Sequence, residues 1–188
     1  MSVLYLFLTF FSTVSLAGCS DFLSVREAEE PAGSQTLNTA RTPAELLGYF
    51  QTSLKNSNSA QYLALLADSV VTGREFTFSS LASDVSAADF TGWGRSQEKQ
   101  FIQRLFATGY IPAMTVTTEP FSEPQQDTLE VKFTYQFKVI TPQDTTGVLG
   151  KSAFLLVKKN SYWYLARWRD EDYPLNGNSS FSRLKLTQ

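Results

Sequence analysis

Apolar and polar residues alternate without a break through DTLEVKFTYQFKVI. Leu129, Val131, Phe133, Tyr135, Phe137 and Val139 fall on one side, and Glu130, Lys132, Thr134, Gln136 and Lys138 on the other. Successive side chains of a strand point to opposite faces, so this stretch predicts an antiparallel strand with one dry and one wet face. GKSAFLLVKKNSYWYLARWRDED predicts two more strands joined at Asn160-Ser161, because Asn suits a two-residue hairpin loop. AMTVTTE predicts a shorter strand before them. Upstream the period changes. Leu46, Leu47, Phe50 and Leu54 recur at helical spacing behind Thr42, Pro43 and Glu45, which supply an N-cap, a first-turn proline and a capping-box acid. A second short helix is expected from Ser59, with Tyr62, Leu63, Leu65 and Leu66. A third, capped by Ser96, carries Phe101, Ile102, Leu105 and Phe106 and stops at Gly109. SVVTGREFTF reads as a strand or bent hairpin. GNSS and SRLK near the C-terminus read as a final edge piece.

The last hairpin offers a choice of faces. If Lys159 pairs with Tyr162, one face carries Val157, Leu155, Ala153, Tyr164, Ala166 and Trp168, all apolar. The other sets Arg167 beside Phe154, Leu156 and Leu165. Burying that second face would desolvate a guanidinium, on the order of several kcal/mol unless an anion met it. Trp168 and Tyr164 are therefore expected to face the core, with Arg167 and Arg169 outside. The charges of RWRDED then read as a self-neutralising surface cluster.

Before all of this, Val3 to Val14 is an uncharged apolar run. It is shorter than the roughly 20 residues that span a bilayer, and it has the length of a secretory h-region. Leu16-Ala17-Gly18-Cys19 behind it resembles the lipobox of bacterial lipoproteins. That resemblance implies cleavage before Cys19 and attachment of diacylglycerol to its sulfur. Two or more acyl chains anchor a protein stably, so the implied membrane partner is lipid, through Cys19. Ser20, rather than Asp, follows the cysteine, which in Gram-negative lipoproteins favours the outer membrane. Residues 20–42 are polar and without period, as in a tether. The expected organisation is a signal peptide over 1–18, a lipidated N-terminus and flexible tether over 19–42, and one α+β roll domain over 43–188.

Composition narrows the chemistry. There is no histidine and only one cysteine. With Cys19 acylated, this excludes Ser-His-Asp and Cys-His nucleophiles, thiolate or imidazole zinc sites and disulfides. Sixteen basic against 18 acidic residues give no electrostatic ground for binding nucleic acid. No cofactor or metal is expected. An exported domain without disulfides must rest on its core, and aromatics at 14% of the chain can build one.

Helices first, then long antiparallel strands, make an α+β roll. In element order, in YLALLADSVV leading to FTF, and in SYWYLARWRDED as an aromatic last strand, residues 43–170 resemble the nuclear transport factor 2-like (SnoaL-like) superfamily. The resemblance implies a cone of about three N-terminal helices packed on a curved antiparallel sheet, with any ligand inside. A cystatin-like roll with one helix fewer is the alternative. Candidate pocket residues are Trp93, Phe133, Tyr135, Phe137, Tyr164 and Trp168; for Trp93, a lid and an anchor holding its loop to the core are both open. Enzymes of the superfamily use a buried Asp, an Asp-His pair or Tyr donors. Asp68, Asp84 and Asp89 are the acids at hand, each at a loop or helix end where capping is the ordinary role, and none is assigned as catalytic. The expected function is therefore a tethered, non-catalytic binding module for a small apolar ligand. The alternatives are a module that dimerises through its open sheet face and, third, an isomerase or cyclase with a buried Asp.

Overall fold

The protein is described here by a computed structural model covering residues 37–121 and 126–188. The expectations for residues 1–36, including the signal, the lipobox and Cys19, lie outside the described residues. Helix α1 (Pro43–Lys55) starts as its sequence predicts: the Thr42 hydroxyl accepts from the Glu45 N–H at 3.1 Å, and Pro43 opens the first turn. The Glu45 carboxylate reaches one residue beyond the cap, accepting from the Arg41 N–H at 2.7 Å. Leu46, Leu47, Phe50 and Leu54 form the buried stripe. Just upstream, Asn38 exchanges hydrogen bonds with Gln61, and buried Ala40 bridges Trp163. Helix α2 (Ser59–Ala64) follows, capped by Asn58.

The next segment corrects the sequence reading. SVVT is not a strand but a single turn, α3 (Ser69–Thr72), capped at one end by Asp68 and at the other by Gly73 at φ 74°. Caps at both ends override β-branched propensity here, because Val70 is 92% exposed and has no sheet surface to pack on. Strand β1 (Thr77–Ser80) takes up the remainder. After a 3-10 turn at Ala87–Phe90 comes α4 (Arg95–Thr108), capped at Gly94 rather than Ser96. It ends at Gly109 in extended backbone, not in the left-handed region. A Cβ at Gly109 would press on the Ile140 carbonyl at 2.9 Å.

Strands β2 (Met114–Thr118), β3 (Thr128–Ile140), β4 (Thr145–Lys159) and β5 (Tyr162–Glu171) run antiparallel to their neighbours, and β1 joins β5 in parallel. The sheet order is β1-β5-β4-β3-β2. In β3 the predicted dry face is the buried one from Val131 to Val139. The β4–β5 turn is Asn160-Ser161, both at positive φ, with Lys159 opposite Tyr162.

That register does not survive the whole hairpin. Leu156 pairs with Leu165 but Leu155 with Arg167, so Ala166 is an extra residue, a β-bulge. The bulge reverses the parity of β5, bringing Trp163, Leu165 and Trp168 to one buried face. Trp168 faces the core and Arg167 the outside, as expected. Tyr164 does not: it packs with Ala67, Val157 and Ala166 in a small cluster apart from the main core.

The C-terminus differs most. Ser179 makes one bridge to Val148, but SRLK belongs to a helix, α5 (Phe181–Thr187). Ser180 caps it, accepting from the Arg183 N–H at 2.9 Å. Phe181 and Leu184, one turn apart, then meet the same wall.

Candidate functional site

The inner face of the sheet and the helices above it make an aromatic interior. Trp168 lies at its centre, with ring centres of Phe181, Phe154, Phe78 and Phe50 at 4.5, 5.2, 5.3 and 5.5 Å. Helix α5 enters this interior, and its residues Phe181, Ser182, Leu184 and Lys185 are buried. Asp84 holds its N-cap Ser180 at the edge, and two buried carboxylates hold it inside.

Asp170 is fully buried on β5, on the same side as Trp168. This corrects its assignment to a surface cluster, since two residues along a strand share a face. One of its oxygens accepts from the Tyr135 hydroxyl at 2.7 Å and the Ser152 hydroxyl at 3.0 Å. The other accepts from the Ser182 N–H at 2.8 Å and its hydroxyl at 2.7 Å. The network extends through Trp168 Nε1, which donates to Ser152 at 2.9 Å, and through the Phe181 N–H, which donates to Tyr135 at 2.8 Å. Tyr135 reaches Asp170 by crossing over Gly150, its partner on β4; a Cβ there would overlap the hydroxyl. Burial raises the Asp170 pKa, against the pull of its Ser182, Tyr135 and Ser152 bonds. Burial, reinforced by Asp170, pushes Tyr135 well above the ordinary tyrosine value.

Glu98 is the second. It lies on α4 on the stripe of Phe101, Ile102 and Leu105, and is fully buried. One oxygen takes the Tyr62 hydroxyl and the Lys185 ammonium; the other takes Trp93 Nε1 at 2.7 Å. Lys185 is as buried as Glu98, and its pKa is lowered by burial despite the attraction of Glu98. Tyr62 is raised well above its ordinary value, first by burial and then by the Glu98 charge. Among the described residues, no buried side-chain nitrogen or oxygen lacks a partner.

Of the predicted pocket residues, Phe133, Tyr135, Phe137 and Trp168 come together in the core, and Trp93 joins them at its rim. Trp93 anchors its loop through Glu98 and through Phe78 and Phe90, with ring centres at 6.1 and 5.3 Å. Tyr164 stands apart. Phe137 also borders a shallow groove of about 200 Å³ with Gln136, Lys138, Gly147 and Asn178. The three acids considered from sequence are structural: Asp68 caps α3 and pairs with Arg95 at 3.1 Å, Asp89 closes a capping box with Ser86, and Asp84 receives the Ser180 hydroxyl and N–H at 2.6 and 3.0 Å.

Sequence reasoning missed Asp170, Glu98 and Lys185. Strand parity with Trp168 pointed to the first, and helical spacing with Phe101 and Ile102 to the second. No sequence signal pointed to the third. Both carboxylates have a donor on each oxygen, and those from Ser182 and Lys185 fasten α5.

No family model matches the sequence, and no curated protein does. Solved structures do resemble the fold. An NTF2-like family protein from Streptomyces avermitilis superimposes with TM-score 0.53 at 11% identity, over 70% of this chain and 93% of its own. A ketosteroid isomerase-like protein from Erwinia carotovora gives 0.51 at 14%, over 74% and 97%. The protein RV0760c from Mycobacterium tuberculosis gives 0.51 at 18%, over 74% and 96%. At such identities the likeness concerns the fold alone: a nuclear transport factor 2-like α+β cone.

Proposed function

We propose that this chain is an exported lipoprotein, acylated at Cys19 and tethered to the cell envelope, at the outer membrane where the source has one. Its cone domain binds a small, largely apolar ligand without transforming it. The observation that carries the non-catalytic half is that every oxygen of both buried carboxylates already accepts a hydrogen bond within the fold. A general base must present an oxygen to the proton it removes, and Asp170 and Glu98 spend theirs on Tyr135, Ser152, Ser182, Tyr62, Trp93 and Lys185. The binding half draws support from the aromatic interior and from the ketosteroid isomerase-like neighbour of the same fold. Such a ligand enters only where α5 yields, because Phe181 and Leu184 fill the interior.

A second reading is favoured by that same filling. If α5 never leaves, the domain is an assembly module that forms a homodimer through its outer sheet face. Native mass spectrometry of the mature chain in mild detergent separates the two. A retained apolar molecule supports the ligand reading, and a concentration-dependent dimer with nothing bound supports the second. The anchor is tested by labelled palmitate, which should enter the wild type and not Cys19→Ala. Equal labelling would refute the anchor.

A further inference from the structure

Lys185 brings a charge to the centre of the cone, and Glu98 is the one hydrogen-bond acceptor of its ammonium among the described residues. The rest of the shell is aromatic. Nζ lies 4.4 Å from the ring centres of Phe101 and Trp168, 4.5 Å from Phe78, 5.2 Å from Phe181 and 5.6 Å from Trp93. Phe181 is on α5 itself; the other four rings and Glu98 belong to β1, α4, β5 and the loop before α4. The body of the cone thus builds the carboxylate and four of the five rings of the cage, and the seven-residue helix α5 supplies the cation and the fifth ring.

Several ring faces around an ammonium, with a carboxylate at one side, form an environment that recognises organic cations. A carboxylate buried as Glu98 is strongly disfavours standing without a partner charge. Whatever displaces Lys185 must therefore replace its charge as well as its apolar stem. We infer that the cage is a binding site for an alkylammonium ligand, and that Lys185 fills it in cis, so that α5 and the ligand compete. This rests on the ligand-binding reading above and specifies the ligand's chemistry.

The test titrates n-hexylammonium chloride, with n-hexanol as the uncharged control, into the full chain as wild type and as Lys185→Ala. Calorimetry reads the affinity, and hydrogen exchange over residues 181–188 reads the state of α5. Removing the internal competitor should tighten hexylammonium binding at least about tenfold, since the apparent affinity scales with the fraction of open sites. In the wild type, saturating hexylammonium should speed exchange in α5 while β3 and β4 stay protected. That measurement carries the test by itself where Lys185→Ala does not fold. Equal affinities for the two proteins, or unchanged α5 exchange at saturation, would overturn the inference. Equal binding of hexanol and hexylammonium would overturn it while leaving the apolar-ligand reading standing. Binding of neither would overturn both.

Discussion

Arg169 and Asp170 are neighbours on one strand and lie in opposite surroundings. Arg169 belongs to the outer face, where it meets Glu171 at 2.8 Å and Glu130 at 3.9 Å, with Arg167 also 3.9 Å from Glu130. Asp170 belongs to the inner face, with no exposure and four donors on its two oxygens. Outside, water screens each charge and any one of them is dispensable. Inside, each polar atom has been taken from water and depends on named partners. The outer cluster therefore decorates the sheet, whereas the inner network decides whether α5 stays.

Removing one inner partner should break this contrast most sharply. Glu98→Ala leaves the Lys185 charge buried and strips acceptors from Tyr62 and Trp93, a loss of about 3–5 kcal/mol by urea denaturation. Glu130→Ala on the outer face should lose less than about 1 kcal/mol. Comparable losses would dissolve the distinction. The double change Glu98→Gln with Lys185→Met sharpens it, because removing both charges should cost less than Glu98→Ala does.

Gly150→Ala adds one methyl group where Tyr135 crosses β4. The hydroxyl must shift from Asp170 and Phe181, at about 1–3 kcal/mol. Faster hydrogen exchange in α5 should accompany the loss. A fully stable variant with α5 still protected would show that Tyr135 has another way to reach Asp170.

A smaller effect lies in the pH dependence. The Asp170 pKa is raised above the ordinary 3.8 by burial, so the folded chain holds this proton more tightly than the unfolded chain. Its contribution to stability is full below the unfolded value and is lost as pH rises through the higher folded value. The stability difference between wild type and Asp170→Asn should accordingly shift against the wild type across that window, as read from melting temperatures at stepped pH. A constant difference would mean that Asp170 titrates alike in both states. Smallest of all, Arg167→Ala should stay within about 0.5 kcal/mol; a larger loss would make the outer cluster structural after all.

Much of the fold was legible because it depends on near neighbours. The alternation of β3, the stripe of α1 and the Asn160-Ser161 turn each follow from spacing and local chemistry. The Ala166 bulge was not legible. It exchanges one ladder position for the burial of both Leu165 and Trp168, a gain that exists only when helices cover that face. Tyr164 was assigned to the core for want of that single extra residue.

The candidate site divides in the same way. By itself the sequence determined that the domain would be an aromatic α+β roll without histidine chemistry, and that Trp168 would be buried; the cone was implied by the family resemblance. Asp170 and Glu98 were implicit in those periodicities, since a strand repeats every two residues and a helix every three or four. Lys185 was not implicit in anything local. Ser180 to Gln188 is too short to hold a helix alone. Only the tertiary structure, with Asp84, Asp170 and Glu98 drawn from distant elements, decided that this segment folds inward as a helix. The buried acids Asp170 and Glu98, which need partners, and the half-buried Asp84 are what hold it there.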